Sequence, residues 1–344
     1  MKTKRSHAST NAFIFHQLAI AAESGYSLAE TLAILRQDEE LSRQGNTIYV
    51  LADSVGKGRS LSTAMSEIPK IFPTEAVALV RAAEDTGVLP AALKVLACDY
   101  TRTAQGQSAL YAILAWPATL AVFLAMVLVL LMLFVIPAFK EVYASFGAEL
   151  PGPTLVMIAV SDLFVDYWWI GLALVVLVAV IVLYARGKRA LASTGLAMKT
   201  PVVRSYLVKN FIARLAEILR VATEGKLAPG LAATYLAASE TNPTIVAWST
   251  QLKANLERGE ALTPALKNIP NMPRRLGLLV DLGTRTGSLE ESLAHAVDLS
   301  EVDARRALLR LQKTLWIGAY AALGTGVGFV VIATYLPIFK LGSL

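Results

Sequence analysis
Between Arg102 and Lys140 the chain carries no charged residue, and the inner part, Leu110 to Ile136, reads LYAILAWPATLAVFLAMVLVLLMLFVI. Lipid offers no partner to a free amide, so such a run crosses a bilayer only as a helix or a closed barrel strand. About 20 apolar residues are enough for a helix to span. Two further runs share the property. Tyr167–Ala185 lies between Asp166 and Arg186 and opens on Tyr167, Trp168 and Trp169, residue types that settle at membrane interfaces. Thr314–Phe339 lies between Lys313 and Lys340 and carries Gly318, Gly324, Gly326 and Gly328, which permit close helix contact. The chain as a whole agrees: 344 residues, 55% hydrophobic, 17% charged, mean hydropathy +0.53. A soluble domain carries about 25% charged residues. No signal peptide is visible at the basic N-terminus.

Charge sets the expected orientation. Residues 140–166 hold Lys140 against Glu141, Glu149, Asp162 and Asp166, whereas 186–313 hold 19 Lys and Arg against 11 Asp and Glu. The positive-inside rule places 186–313 and the N-terminus in the cytoplasm, with 137–166 and the C-terminus outside. The net charge of +6 is small for a nucleic-acid binder, so no nucleic acid is expected.

The chain also repeats itself at an offset near 200. GRSLSTAMSEIPKIFPTEAVALVRAAEDTGVLPAAL (58–93) parallels GEALTPALKNIPNMPRRLGLLVDLGTRTGSLEESL (259–293). Gly25 matches Gly225, Pro69 matches Pro270, Pro73 matches Pro273, and Gly87 matches Gly287. Trp116 matches Trp316, and Pro137 in IPAFK matches Pro337 in LPIFK. These residues form the structural repeat motif. Each copy reads as helix: Leu28, Leu32 and Leu35 fall at helical spacing, Thr263-Pro264 suits a helix start, and Gly87 and Gly287 suit helix ends. The expected fold is an all-α membrane protein. It has two homologous cytoplasmic bundles of five to six helices each and three transmembrane helices. The expected order is an N-terminal tail (1–11), cytoplasmic domain one (12–106), a span (110–136) and a periplasmic loop (137–166). A second span (167–185), cytoplasmic domain two (186–313), a third span (314–337) and a periplasmic C-terminus (338–344) follow.

Catalytic chemistry finds little support. VGKGRS around Lys57 is not a phosphate loop, because Gly58 rather than Ser or Thr follows the lysine, and the context is helical rather than a strand. One cysteine, Cys98, and three scattered histidines, His7, His16 and His295, give no metal or disulfide framework. No cofactor, no metal and no enzymatic activity are expected. The spans hold no ionisable side chain, which argues against an ion-coupled carrier. A membrane pore or permease subunit, or a membrane-anchored regulatory scaffold, is the alternative reading. Glu84-Asp85 is read as a solvated helix end, or as a contact for a partner in copy one alone, since copy two has Thr284. Arg81, Glu84, Asp85, Arg274 and Arg275 are the candidate partner contacts.

The duplicated unit, the string GRSLSTAM…P…FP…AAEDTG in copy one, the stretch IPAFKEVYASFGAELPGPTLVMIAVSD (136–162) and the LPIF end together resemble the PilC/GspF family. These are inner-membrane platform proteins of type IV pilus and type II secretion machines. The resemblance implies a bacterial inner-membrane protein whose cytoplasmic domains meet a hexameric assembly ATPase. Its membrane helices would meet pilin or pseudopilin transmembrane segments, alongside other inner-membrane assembly proteins, in a homo-oligomer. The chain starts almost directly at the first repeat, has Ala83-Glu84 where the family often has Gly-Glu, and lacks the glutamate in copy two. These departures are expected of a short, divergent, type IVb-like branch.

Overall fold
The computed structural model describes residues 7–37, 47–130, 200–269 and 272–341. Among them the secondary structure is helical throughout. Copy one supplies α1 (His7–Glu23), α2 (Leu28–Leu35), α3 (Thr47–Gly56), α4 (Leu61–Ser66), α5 (Thr74–Thr86) and α6 (Leu89–Leu130). Copy two supplies α7 (Pro201–Glu224), α8 (Pro229–Ser239), α9 (Pro243–Glu257), α10 (Leu262–Lys267), α11 (Arg274–Thr286) and α12 (Leu289–Leu341).

The residues explain the boundaries. On α5 the buried set is Ala76, Val77, Leu79, Val80 and Ala83, a helical stripe, and α11 buries Leu276, Gly277, Val280 and Gly283 at equivalent positions. Pro73 and Pro273 are the N-caps of these two helices. Gly87 and Gly287 end them with φ of 74° and 73°, the left-handed geometry that a side chain resists. Pro69 lies exposed in the turn before α5, while Pro270 and Pro137 fall outside the described residues. Pro337 falls within the range of α12.

One expected boundary moves. Thr263-Pro264 does not open α10. The helix starts at Leu262 with Ala261 as N-cap, and the Thr263 hydroxyl is buried without a hydrogen-bond partner. The register follows copy one, where buried Leu61 opens α4 behind Ser60, so packing of the paired leucine overrides the local capping signal.

The chain divides into two compact units. The first comprises Met1–Ala109 and Ala192–Leu308. Within it each copy winds through its helices in order, α1 to α5 and α7 to α11, neighbour on neighbour. The copies are not two separate cores. A single cluster of buried hydrophobics runs through both, from Ile14, Phe15 and Leu18 to Leu215, Leu219 and Leu293. Phe15 stacks on Tyr100 and meets Phe72 edge-on. Bundles this small bury too little surface alone, and pairing them enlarges the shared core.

The second unit comprises Leu110–Leu191 and Leu309–Leu344. In it the repeat-equivalent tryptophans Trp116 and Trp316 stack with ring centroids 6.4 Å apart, and Tyr320 meets Trp316 edge-on. Pro117 sits inside α6 without ending it. Among the described residues no helix is long and apolar enough to cross a membrane. The end of the first expected span (131–136), the loop 137–166 and the second expected span 167–185 lie outside the described residues.

Candidate functional site
Where the copies meet, a cleft of about 930 Å³ opens among α1, α6, α7 and α12 of the first unit. Its charged lining balances: Lys94, Arg102, Arg220 and Arg305 against Glu217, Glu224, Asp298 and Glu301, with His16 beside them. The charges pair across the copies. Arg102 donates from Nε to Glu217 at 2.8 Å and from its terminal nitrogen to Glu301 at 2.6 Å. Lys94 bridges Glu23 of its own copy and Glu224 of the other. The bond to Glu23 holds the Lys94 pKa above its ordinary value, although partial burial opposes it. A neutralised lining of this kind offers no surplus charge to an anionic ligand. Cys98 also lines the cleft; burial, and then Glu217, push its thiol up to about 11.

Deeper in the seam lies a polar cluster. Asp99 on α6 is 3% exposed, and its carboxylate accepts from Arg214 on α7 at 2.9 Å and from the Tyr235 hydroxyl on α8. Arg214 also reaches Glu240 and the Ser239 hydroxyl. Burial works against the Arg214 charge, but Asp99 and Glu240 outweigh it and raise its pKa. Burial, then Asp99, raises the Tyr235 pKa well above the ordinary range, so the hydroxyl stays a donor. A buried ion pair is weak as a source of stability and strong as a specifier of one arrangement, because a misaligned partner leaves a charge unpaired. Asp99 was open to detection in the sequence. It sits on the stripe of Ala92, Val95 and Leu96, where a carboxylate needs a partner. Arg214, 115 residues away, carried no such mark.

The candidate contacts of the sequence fall on α5 and α11. Arg81 and Asp85 are exposed on α5. Glu84 is turned inward. Its carboxylate accepts from the backbone N–H of Leu61 at 2.7 Å and of Ser62 at 3.3 Å, and from the Ser62 hydroxyl. With Ser60, which accepts from the Thr63 N–H, it caps α4. In copy two Thr284 donates instead to its own helix, at the Val280 carbonyl. This is why Thr263, the residue equivalent to Ser62, is left without a partner.

Arg274 and Arg275 are exposed in the first turn of α11, where copy one has Thr74 and Glu75. Cations at a helix N-terminus oppose the macrodipole. Further along that exposed face stand Leu278, 63% exposed, and Leu282, 56% exposed. His295 is exposed, and among the described residues no group of three or more His, Cys, Asp or Glu is placed to hold a metal. What the described residues present, then, is a pair of bundles joined through one core, with charged and apolar side chains exposed on α5 and α11.

The family model described as type II secretion system (T2SS), protein F matches the chain twice, over residues 14–137 and 215–337. The type IV pilus assembly protein TapC of Aeromonas hydrophila is 26% identical over 338 residues, covering 97% of this chain and 81% of that protein. The type IV pilus assembly protein PilC of Pseudomonas aeruginosa is 24% identical over 339 residues, 97% of this chain and 90% of its own length. The type II secretion system protein F of Xanthomonas campestris is 27% identical over 330 residues, 94% of this chain and 81% of that protein.

Proposed function
Since the chain belongs to the type II secretion system protein F family, we propose that it is the inner-membrane platform of a type IV pilus or type II secretion machine. The observation that carries the reading is the family match to both copies of a helical unit that leads into an uncharged stretch. In this reading the uncharged stretches at 110–136, 167–185 and 314–337 cross the bacterial inner membrane, with the N-terminus in the cytoplasm and the C-terminus in the periplasm. The cytoplasmic copies meet a hexameric assembly ATPase, and the membrane helices meet pilin or pseudopilin segments.

The proposed mechanism is mechanical. The ATPase supplies the energy and the platform carries the movement to the fibre base, inserting or removing one subunit at a time. The chain has no phosphate loop of its own, in keeping with a non-enzymatic role. The locked seam between the copies suits it, since a force applied to one copy is passed to the other through Asp99 and Arg214. The exposed Arg81 and Asp85 on α5 and Arg274 and Arg275 on α11 are the proposed contacts, and Glu84 supports the α5 surface through the helix it caps.

The test is crosslinking in native membranes followed by purification of this chain. Recovery of a hexameric secretion ATPase with a pilin-like protein is expected, and the pilin separates pilus from secretion. Recovery of neither from a stable, abundant chain would sink the reading. Reversal of charge at Arg274 and Arg275 is expected to lower partner recovery while membrane insertion is unchanged.

A further inference from the structure
Helices α6 and α12 begin at Leu89 and Leu289, so Asp99 and Leu299 hold equivalent positions. Their surroundings differ. Copy two covers Asp99, which is 3% exposed and bound to Arg214. Leu299 is 46% exposed and lies in the wall of a second cleft, of about 170 Å³, formed by α7, α11 and α12. A position that copy one buries against its sister copy is thus open in copy two.

The two long walls of this cleft match. On α11, Arg275, Leu278, Leu279 and Leu282 fall at i, i+3, i+4 and i+7, one stripe of a helix. On α12, Ala296, Leu299, Ser300 and Asp303 repeat that spacing. Leu278 and Leu282 are largely exposed, and the floor, Ile212 and Leu276, is buried and apolar. The volume falls below the roughly 300–1,000 Å³ of small-molecule sites and suits a side chain. Apolar stripes on either side of a shallow groove are the receiving half of helix-in-groove recognition, where an amphipathic helix inserts anchors at the same spacing.

Charge selects the occupant. Lys209 and Arg275 stand in the lining, and Arg274 adjoins Arg275 in the first turn of α11. None of the three forms an ion pair among the described residues. Among the described residues that line the cleft, Asp303 is the one carboxylate. The start of α11 already bears the positive end of the helix dipole, so the two arginines add to that field rather than offset it. Carboxylates are the groups that satisfy both.

We propose that the groove between α11 and α12 receives an acidic amphipathic helix of another protein. An apolar side chain of that helix seats on Ile212 and Leu276 beside Leu299, and carboxylates on its flank meet Lys209, Arg274 and Arg275. The proposal rests on the platform reading in taking Arg274 and Arg275 as contacts, and it adds the class of partner that they recognise.

The test places the photo-crosslinking residue benzoylphenylalanine at position 299 of the full chain in native membranes, with the exposed Tyr26 as control position. Mass spectrometry then sequences the segment attached at each. The expected adduct at 299, absent at 26, is a segment of another protein with carboxylates flanking apolar residues at i, i+3 or i+4 spacing. That segment, made as a peptide, is expected to bind the purified full chain. Lys209→Glu with Arg275→Glu is expected to weaken binding ~10-fold or more, and a peptide with its carboxylates exchanged for lysine is expected to regain binding to that variant. An adduct with lipid, with a second copy of this chain or with a segment that lacks carboxylates would overturn the proposal. So would no adduct, or binding indifferent to the charge exchange. Recovery of the ATPase and pilin with the whole chain is scored separately, so failure at the groove leaves the platform reading standing.

Discussion

Equivalent positions in the two copies can hold the same residue for different reasons. Gly25 and Gly225 are matched by sequence. Gly25 has φ of 76° and open space around it, so its need is conformational. Gly225 lies in the ordinary φ region, and a Cβ there would stand 2.2 Å from the Ala91 Cβ; its need is room at the seam. The left-handed residue in copy two is Lys226, with φ of 55°. Lys226→Gly is expected to stabilise the chain by about 1 kcal/mol through relief of that backbone conformation. Gly225→Ala is expected to destabilise it by about 1–3 kcal/mol through overpacking. Denaturant midpoints of the two variants check both. Glu84 and Thr284 form the complementary case. Glu84→Ala leaves the first amides of α4 and the Ser62 hydroxyl without their acceptor, and a loss of about 1–3 kcal/mol is expected. Thr284→Glu is expected to raise stability, because it offers the same acceptor to α10 and to the orphaned Thr263 hydroxyl. Unchanged unfolding of both variants would show that Glu84 does not act through the cap. The sequence displayed the pairing of these residues, but which need each one meets depends on neighbours far along the chain.

At the scale of elements, α11 is proposed to separate stability from recognition. Its first turn holds two arginines that oppose the helix dipole, and its exposed face holds two leucines that the fold does not use. Arg274→Glu with Arg275→Glu is expected to leave thermal stability unchanged or raise it by about 0.3–1 kcal/mol per residue. The same change is expected to reduce recovery of partners. A joint fall in stability and recovery would instead make the arginines part of the fold. Helix existence in this unit was legible from spacing and glycine: Gly87 and Gly287 mark the ends of α5 and α11 as read from the sequence. The start of α10 was not, because packing of the partly buried Leu262 in the register of Leu61 outweighs a local Thr-Pro signal.

At the scale of the molecule, the seam between copies determines how the first unit holds together. Asp99→Leu leaves Arg214 buried beside Glu240 alone, and a loss of about 3–5 kcal/mol is expected. Adding Arg214→Leu is expected to recover most of it, and a double-mutant cycle by denaturant unfolding measures the coupling. The cleft provides a probe of the same seam. With its thiol pushed up to about 11, Cys98 is expected to react with iodoacetamide about 100-fold more slowly at pH 8 than an ordinary cysteine, from thiolate fraction alone. The sign is fixed by the chemistry: the unfolded thiol ionises first, so stability from this group falls as pH rises from about 9 to 11. Labelling at the ordinary rate would mean that the seam opens. The duplication and the helical class could be read from sequence alone. The joining of both copies into one core could not, since Arg214 gives no local sign of the carboxylate it meets.

That separation along the chain has a consequence during synthesis. Asp99 and Arg214 are 115 residues apart, and ribosomes add about 5–20 residues per second. For roughly 6–23 s a nascent first copy therefore holds a carboxylate facing an apolar surface with no cation to meet it. The first copy cannot complete its fold as it emerges. It must wait, with its seam face exposed, until the second copy has been made, and in that interval it is the natural client of a chaperone.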